Sequence, residues 1–146
     1  NIQGDEPLVN VDQIDRMVNA FSDSSVQIAT LANSNITKDE VANMNRIKLV
    51  LDQNDNALYF SRSVIPNTSK GNPEQLYLKH IGLYAFRKEA LKRIETMAPC
   101  DLERAESLEQ LRWMFYGEKI KVIKTTVETP NIDTPEDVEK VLSLLR

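Results

Sequence analysis

The sequence has one cysteine, Cys100, and one histidine, His80. A single cysteine excludes an internal disulfide and a cysteine-rich zinc site, and a single histidine excludes a multi-histidine metal centre. Cys100 itself is expected to be inert. Excess positive charge is also lacking: 18 Lys+Arg face 22 Asp+Glu, a formal net charge of −4. With a pI near 5.1, that balance argues against a nucleic-acid surface, which is normally basic. No apolar run approaches the roughly 20 residues that span a bilayer. No charged-then-apolar leader opens the chain, so the sequence reads as a soluble protein with no membrane partner. Internal repeats and low-complexity segments are missing too.

What remains is ordinary globular material, 41% hydrophobic and 27% charged over 146 residues, enough for one domain with a real core. Asn1 to Gln3 reads as the end of a buried strand entering a loop, where Gly4 permits a sharp turn and Pro7 stops the strand. These residues look like the middle of a fold, so a preceding part is expected to be missing. Ile14, Met17, Val18 and Phe21 recur at helical spacing within a helix from about Asp12 to Phe21, and Val26 to Leu31 reads as a buried strand. Thr37 and Glu40 form a capping-box pattern for a short helix, or a plain surface connection. Arg46–Leu51 and Ala57–Ser61 bracket a turn-rich stretch and predict a hairpin; Ile65 to Gln75 is a loop. Tyr77–Phe86 is a strand in which Gly82 suggests a bulge or a close approach by ligand or backbone. A helix over Lys88–Met97 ends at Pro99. A single helix then runs from about Leu102 to Tyr116, capped by Asp101 and stopped by Gly117. Lys119 to Val127 is strand-like. Thr134-Pro135-Glu136-Asp137 opens a last helix, with Val138, Val141, Leu142 and Leu145 facing the core. The class is α/β with a mixed sheet.

Two acidic junctions stand out. Asp5 and Glu6 follow a strand end, where an open sheet places its ligand crevice, and Asp133 lies between a strand end and a helix start. On one sheet edge, Asp5 and Asp133 could ligate a hard cation such as Mg²⁺. Taken singly, each reads first as an acidic turn or capping residue. His80 and Tyr84 lie four apart on one strand and so on one face, as polar ligands or as a packed core pair. Glu103, Glu106 and Gln110 are spaced by three and four and form one polar stripe, with Glu109 on its flank; a solvated face is the default reading.

Six ordered segments then become recognisable together: Asn1-Ile2-Gln3-Gly4-Asp5-Glu6-Pro7, Ala57-Leu58-Tyr59-Phe60-Ser61-Arg62, Lys79-His80-Ile81-Gly82-Leu83-Tyr84, Leu102-Glu103, Glu106-Ser107-Leu108-Glu109-Gln110-Leu111-Arg112 and Ile132-Asp133-Thr134-Pro135-Glu136-Asp137. The whole chain resembles the CMP-KDO synthetases, 3-deoxy-D-manno-octulosonate (KDO) cytidylyltransferases of lipopolysaccharide synthesis. The resemblance implies a nucleotide-diphospho-sugar-transferase-like (Rossmann-like) mixed sheet with flanking helices and an antiparallel hairpin element, incomplete at its N-terminus. Residues 1–146 would then be the C-terminal part of one cytidylyltransferase domain, with about 52–86 serving dimerisation and sugar binding. The implied reaction is attack by the KDO anomeric hydroxyl on the α-phosphate of CTP, releasing pyrophosphate.

The implied roles are Asp5 and Asp133 as catalytic Mg²⁺ ligands and Gln3, Arg62, His80, Tyr84, Glu109 and Gln110 as substrate-binding residues. Arg62 offers a fork for the sugar carboxylate or for phosphate; otherwise it is a surface arginine. A homodimer in the cytoplasm of a Gram-negative bacterium is implied as well. Two departures stand beside the match. The family's Arg-rich, Lys-containing phosphate loop has no counterpart, so the chain alone is expected not to catalyse. Asn43-Met44-Asn45 stands where the family commonly has Asn-Pro-Asn. The alternatives are a cytidylyltransferase for another sugar acid, such as sialic acid, and a non-catalytic sugar-binding or dimerisation module.

Overall fold

A computed structural model describes residues 1–2, 4, 7–70, 77–130, 132 and 135–144, without the side chains of 135, 136, 140 and 144. Gln3, Asp5, Glu6, Asp133, Thr134 and Leu145 therefore lie outside the described residues. The elements are α1 (Val11–Asn19) with a 3₁₀ turn (Ala20–Ser22), β1 (Ile28–Asn33), α2 (Lys38–Ala42), β2 (Lys48–Leu51), β3 (Ala57–Ser61), β4 (Leu78–Phe86), α3 (Lys88–Glu95), α4 (Asp101–Glu106), α5 (Gln110–Phe115), β5 (Ile120–Thr125) and α6 (Pro135–Leu144). The strands form one mixed sheet in the order β3-β2-β4-β1-β5. β1 and β5 are parallel, while β2–β3, β2–β4 and β1–β4 are antiparallel.

Every residue of β1 is buried because both of its faces are covered, as its unbroken apolar run requires. Ile28 and Ala32 face a core built with Phe60, Tyr84, Ile94, Leu111, Trp113 and Val122. Ala29 and Leu31 face the other core, with Met17, Val26, Ile81 and Leu83. β4 carries the bulge signalled by Gly82: Thr30 pairs with Tyr84 but Leu31 pairs with Ile81. β4 thus gains two residues there. An even insertion keeps sidedness, whereas a one-residue slip would send every later side chain to the opposite face. His80 and Tyr84 consequently stay on one face, their ring centroids 5.4 Å apart.

Short-range signals hold in several places. Thr37 and Glu40 form a full capping box on α2, and Gly117 takes a φ of 90° with its N–H on Met114 O, where a β-carbon would be strained. Others fail. Val18 is 57% exposed, and α1 instead turns Gln13 and Met17 inward, because the Gln13 amide bonds Thr125 Oγ1 and Val127 O at the end of β5. The single helix expected over 102–116 is two. Ser107 adopts a left-handed conformation (φ 53°, ψ 50°) that ends α4. Asp101 does not cap α4 but sits in its first turn, where its charge meets the positive helix end. On α6, Val141 and Asp137 are buried, while Val138 and Leu142 are exposed; the inward face is thus Asp137 and Val141, four apart.

Candidate active-site cleft

The outer edge of β4 serves two neighbours in turn. Lys79 and Leu78 pair with β2, and the His80 N–H reaches Ile47 O. Further along, Tyr84 exchanges both backbone hydrogen bonds with Asn1, at 3.1 and 2.6 Å. Between these partners, beside Gly82, opens a cleft of about 1130 Å³. Arg62, His80, Tyr84, Glu109 and Gln110 all line it. The structure therefore brings together every predicted substrate-binding residue that lies among those described.

His80 packs edge-on to Phe60, with ring centroids 5.0 Å apart, and its Nε2 lies 3.0 Å from the hydroxyl of Thr30. Thr30 is fully buried and donates to Leu83 O at 2.8 Å, with Ile81 O at 3.3 Å. It thereby serves the carbonyl of Leu83, a residue the bulge leaves without a partner in the register. Burial lowers the His80 pKa from 6.5 to about 4, so the ring is neutral at pH 7. Tyr84 is 5% exposed and packs against Trp113 at 5.1 Å and Phe86 at 5.9 Å. Its hydroxyl is buried without a hydrogen-bond partner. Thr30 Oγ1 lies beside it, but not in the geometry of a hydrogen bond. Burial pushes the phenol well above its ordinary value, opposed by the nearby Thr30 hydroxyl and reinforced by the Glu109 charge.

Arg62 follows β3 and is half-buried. Its Nε donates to Glu106 O at 2.8 Å, Nη1 to Met44 O at 3.2 Å and Nη2 to Ser107 O at 3.5 Å. A guanidinium has five N–H groups, so each terminal nitrogen keeps one for a ligand. The Glu106 carboxylate accepts from the Ser61 hydroxyl and the Arg62 N–H. Beneath lies Lys48, fully buried, its ammonium bonded to Asn43 O, Arg46 O and Arg62 O at 2.6 to 2.9 Å. Desolvation lowers its pKa and the Glu106 charge opposes that shift. Glu109 is exposed and Gln110 buried, at the start of α5 where the chain turns back toward the cleft.

A third group stands where β1 and β5 end. The Lys79 ammonium is 2.6 Å from Glu40 and 3.0 Å from both carboxylate oxygens of Glu128, and Asn33 donates to Glu128 as well. Glu40 is held below the usual carboxylate range by Lys79 and Thr37, against the opposing effect of its own desolvation. Thr30, Lys48, Lys79 and Glu128 were not singled out from the sequence. Only Lys79 carried a local signal, its place immediately before His80. Among the described residues no group of three or more His, Cys, Asp or Glu could hold a metal. Among them, too, no helix is long and apolar enough to cross a membrane.

A mixed α/β sheet with a polar crevice opening beside a split strand edge is the architecture of a nucleotide-diphospho-sugar-transferase-like enzyme fold. The family model described as Cytidylyltransferase matches residues 1–120, and the chain belongs to that family. It is 46% identical over its full length to the 3-deoxy-manno-octulosonate cytidylyltransferase of Porphyromonas gingivalis, covering 61% of that protein. It is 47% identical over its full length to the corresponding protein of Bacteroides thetaiotaomicron, covering 62% of it. A solved structure described as CMP:2-keto-3-deoxy-manno-octonic acid synthetase complexed with CTP superposes with a TM-score of 0.92 at 36% identity, over 99% of this chain and 60% of the other. The chain spans about three-fifths of the length of the relatives it matches.

Proposed function

We propose that this chain supplies the sugar-acid site and the metal carboxylates of an enzyme that joins KDO to CMP at the expense of CTP. The observation behind this reading is the Tyr84 hydroxyl, buried and unpaired in a cleft also lined by Arg62, His80, Glu109 and Gln110. Leaving a polar group so placed without a partner costs stability, and a ligand rich in hydroxyls removes that cost. Arg62, fixed by three carbonyls with one N–H free on each terminal nitrogen, suits a planar carboxylate. Glu109 and Gln110 offer acceptors and a donor to the remaining hydroxyls, and Gln3 belongs to the same set. So oriented, the anomeric oxygen forms a bond to the α-phosphorus of CTP, loses its proton, and the bond to pyrophosphate breaks. Such transfer depends on positioning and charge neutralisation more than on covalent help from the protein.

Asp5 and Asp133 are the residues we assign to Mg²⁺. Two carboxylates are the hard oxygen donors this ion prefers. The carboxylates of Glu40 and Glu128 are already committed to Lys79, and Asn1 and Pro130, which shortly precede the two aspartates in the sequence, both line the cleft. Bound there, the cation supplies neutralisation of triphosphate charge. The enzyme is further proposed to be cytoplasmic and homodimeric, with 52–86 contributing to the interface. In support of the last, β3 is an edge strand whose Leu58 is 58% exposed. Pyrophosphate release is the test, with CTP, Mg²⁺ and either KDO or sialic acid. Preference for KDO is expected. Preference for sialic acid would overturn the substrate, and KDO binding without release from an otherwise intact enzyme would favour a binding module.

A further inference from the structure

We infer that Thr30 is a positioning residue that fixes the tautomer of His80, so that the cleft presents a bare Nδ1 lone pair and selects a ligand hydroxyl that donates to it. Thr30 Oγ1 lies 2.8 Å from Leu83 O and 3.0 Å from His80 Nε2. A carbonyl oxygen has no proton to give, so the hydrogen between Oγ1 and Leu83 O is the threonine's own. A hydroxyl has only one. The contact with Nε2 then needs its proton from the ring, and Nε2–H donates to Oγ1. A neutral imidazole protonated at Nε2 carries its lone pair on Nδ1, and among the described residues Nδ1 has no hydrogen-bond donor. Burial keeps the ring from taking a second proton near neutral pH.

The device is built from the bulge. Two additional residues in β4, Gly82 and Leu83, have no partner in the register with β1, and the Thr30 hydroxyl beside them reaches Leu83 O at 2.8 Å. Valine at position 30 would fill the same strand slot but would take the hydroxyl away from Leu83 O and leave the His80 proton without its acceptor. His80 could then equally protonate Nδ1, presenting a donor where the ligand hydroxyl needs an acceptor. That His80 meets a sugar hydroxyl rests on the function proposed above; the tautomer does not.

His80 is the one histidine in the 146 residues, so these residues, expressed without a polyhistidine tag and labelled with ¹⁵N-histidine, give a single imidazole spectrum, and in a longer protein that contains them the signal lost in His80→Gln identifies it. Long-range ¹H–¹⁵N correlation near pH 7.5 should show a protonated Nε2 and an unprotonated Nδ1. Thr30→Val should shift the ring toward the other tautomer or a mixture, and Thr30→Ser should restore the native pattern. In turnover assays Thr30→Val should raise the KM for KDO by about tenfold, the worth of one such hydrogen bond, with the KM for CTP little changed. A native spectrum protonated at Nδ1 overturns the assignment, as does a Thr30→Val spectrum identical to the native one. Should Thr30→Val not fold, the native and Thr30→Ser spectra still decide the matter. A native Nε2–H ring in a protein that does not turn over KDO would refute the substrate and leave the tautomer standing.

Discussion

Replacing Tyr84 by Phe should make the ligand-free protein more stable and the enzyme worse. The ring is held by Trp113 on one side and Phe86 on another, with His80 at 5.4 Å, and phenylalanine keeps all three contacts. What it removes is a buried hydroxyl that no protein group satisfies. Such a group costs about 1–3 kcal/mol. Because the Tyr84 side chain lines a cleft and is not sealed in the core, the lower end, about 1 kcal/mol, is the expected gain. Urea unfolding should show a raised midpoint with an unchanged slope, since the surface exposed on unfolding is the same. In turnover, one lost hydrogen bond to the sugar corresponds to roughly a tenfold rise in the KM for KDO at nearly constant KM for CTP. A loss of stability would refute the reasoning, for it would mean the hydroxyl is satisfied in the free protein. A gain in stability with no effect on KDO would place the sugar elsewhere.

Three other outcomes are expected. His80 binds its proton at pH 6.5 when unfolded and at about 4 when folded, so between these values the unfolded state holds more protons. Stability should therefore fall as pH drops from about 6.5 to about 4, by about 3 kcal/mol in all at 1.36 kcal/mol per pH unit, and His80→Gln should flatten that part of a urea-midpoint profile. Glu40, depressed in the fold, adds a further loss only as pH falls below its unfolded value of 4.5. Lys79→Met strips the cation from Glu40 and Glu128; because Glu128 is half exposed, the cost in denaturant unfolding should be about 1–3 kcal/mol, less than for a fully buried pair. Asp5→Asn or Asp133→Asn should collapse turnover in the active enzyme with little change in thermal midpoint, and near-normal Mg²⁺-dependent rates in either variant would dissolve the two-carboxylate site.

The elements that sequence reading located are those written in neighbouring residues. A capping box is four consecutive positions, a hairpin is two β-rich runs around a turn, and Gly82 inside a strand announces a bulge by its own lack of a side chain. The residues it missed are defined by partners far along the chain. Lys79 meets Glu40 and Glu128 only because three strand ends converge. Thr30 looks like any β-branched strand former until the register of β4 places the unpaired Leu83 against it. Gln13 was passed over for Val18 because polarity argues for solvent, and only the proximity of Thr125 and Val127 makes burial of that amide favourable. The cleft residues His80, Tyr84, Arg62, Glu109 and Gln110 were picked out by resemblance; spacing alone left each with a solvated or core alternative.

The break at Ser107 shows why an i,i+4 stripe does not describe this segment. On one continuous helix Glu106 and Gln110 would share a face and compete for the same surroundings. The left-handed turn at Ser107 separates them. Glu106 closes α4 with its carboxylate on Ser61 and the Arg62 N–H and its carbonyl on Arg62 Nε, while the Ser107 carbonyl faces Nη2. Past the turn, Glu109 and Gln110 begin α5 along the cleft wall. The strained residue thus lets one short segment do two things a straight helix could not. It clamps the arginine from behind, and it delivers two polar side chains to the pocket in front. A non-glycine residue in that conformation costs of order 1 kcal/mol, and the hydrogen bonds gathered by Arg62 and Glu106 offset it.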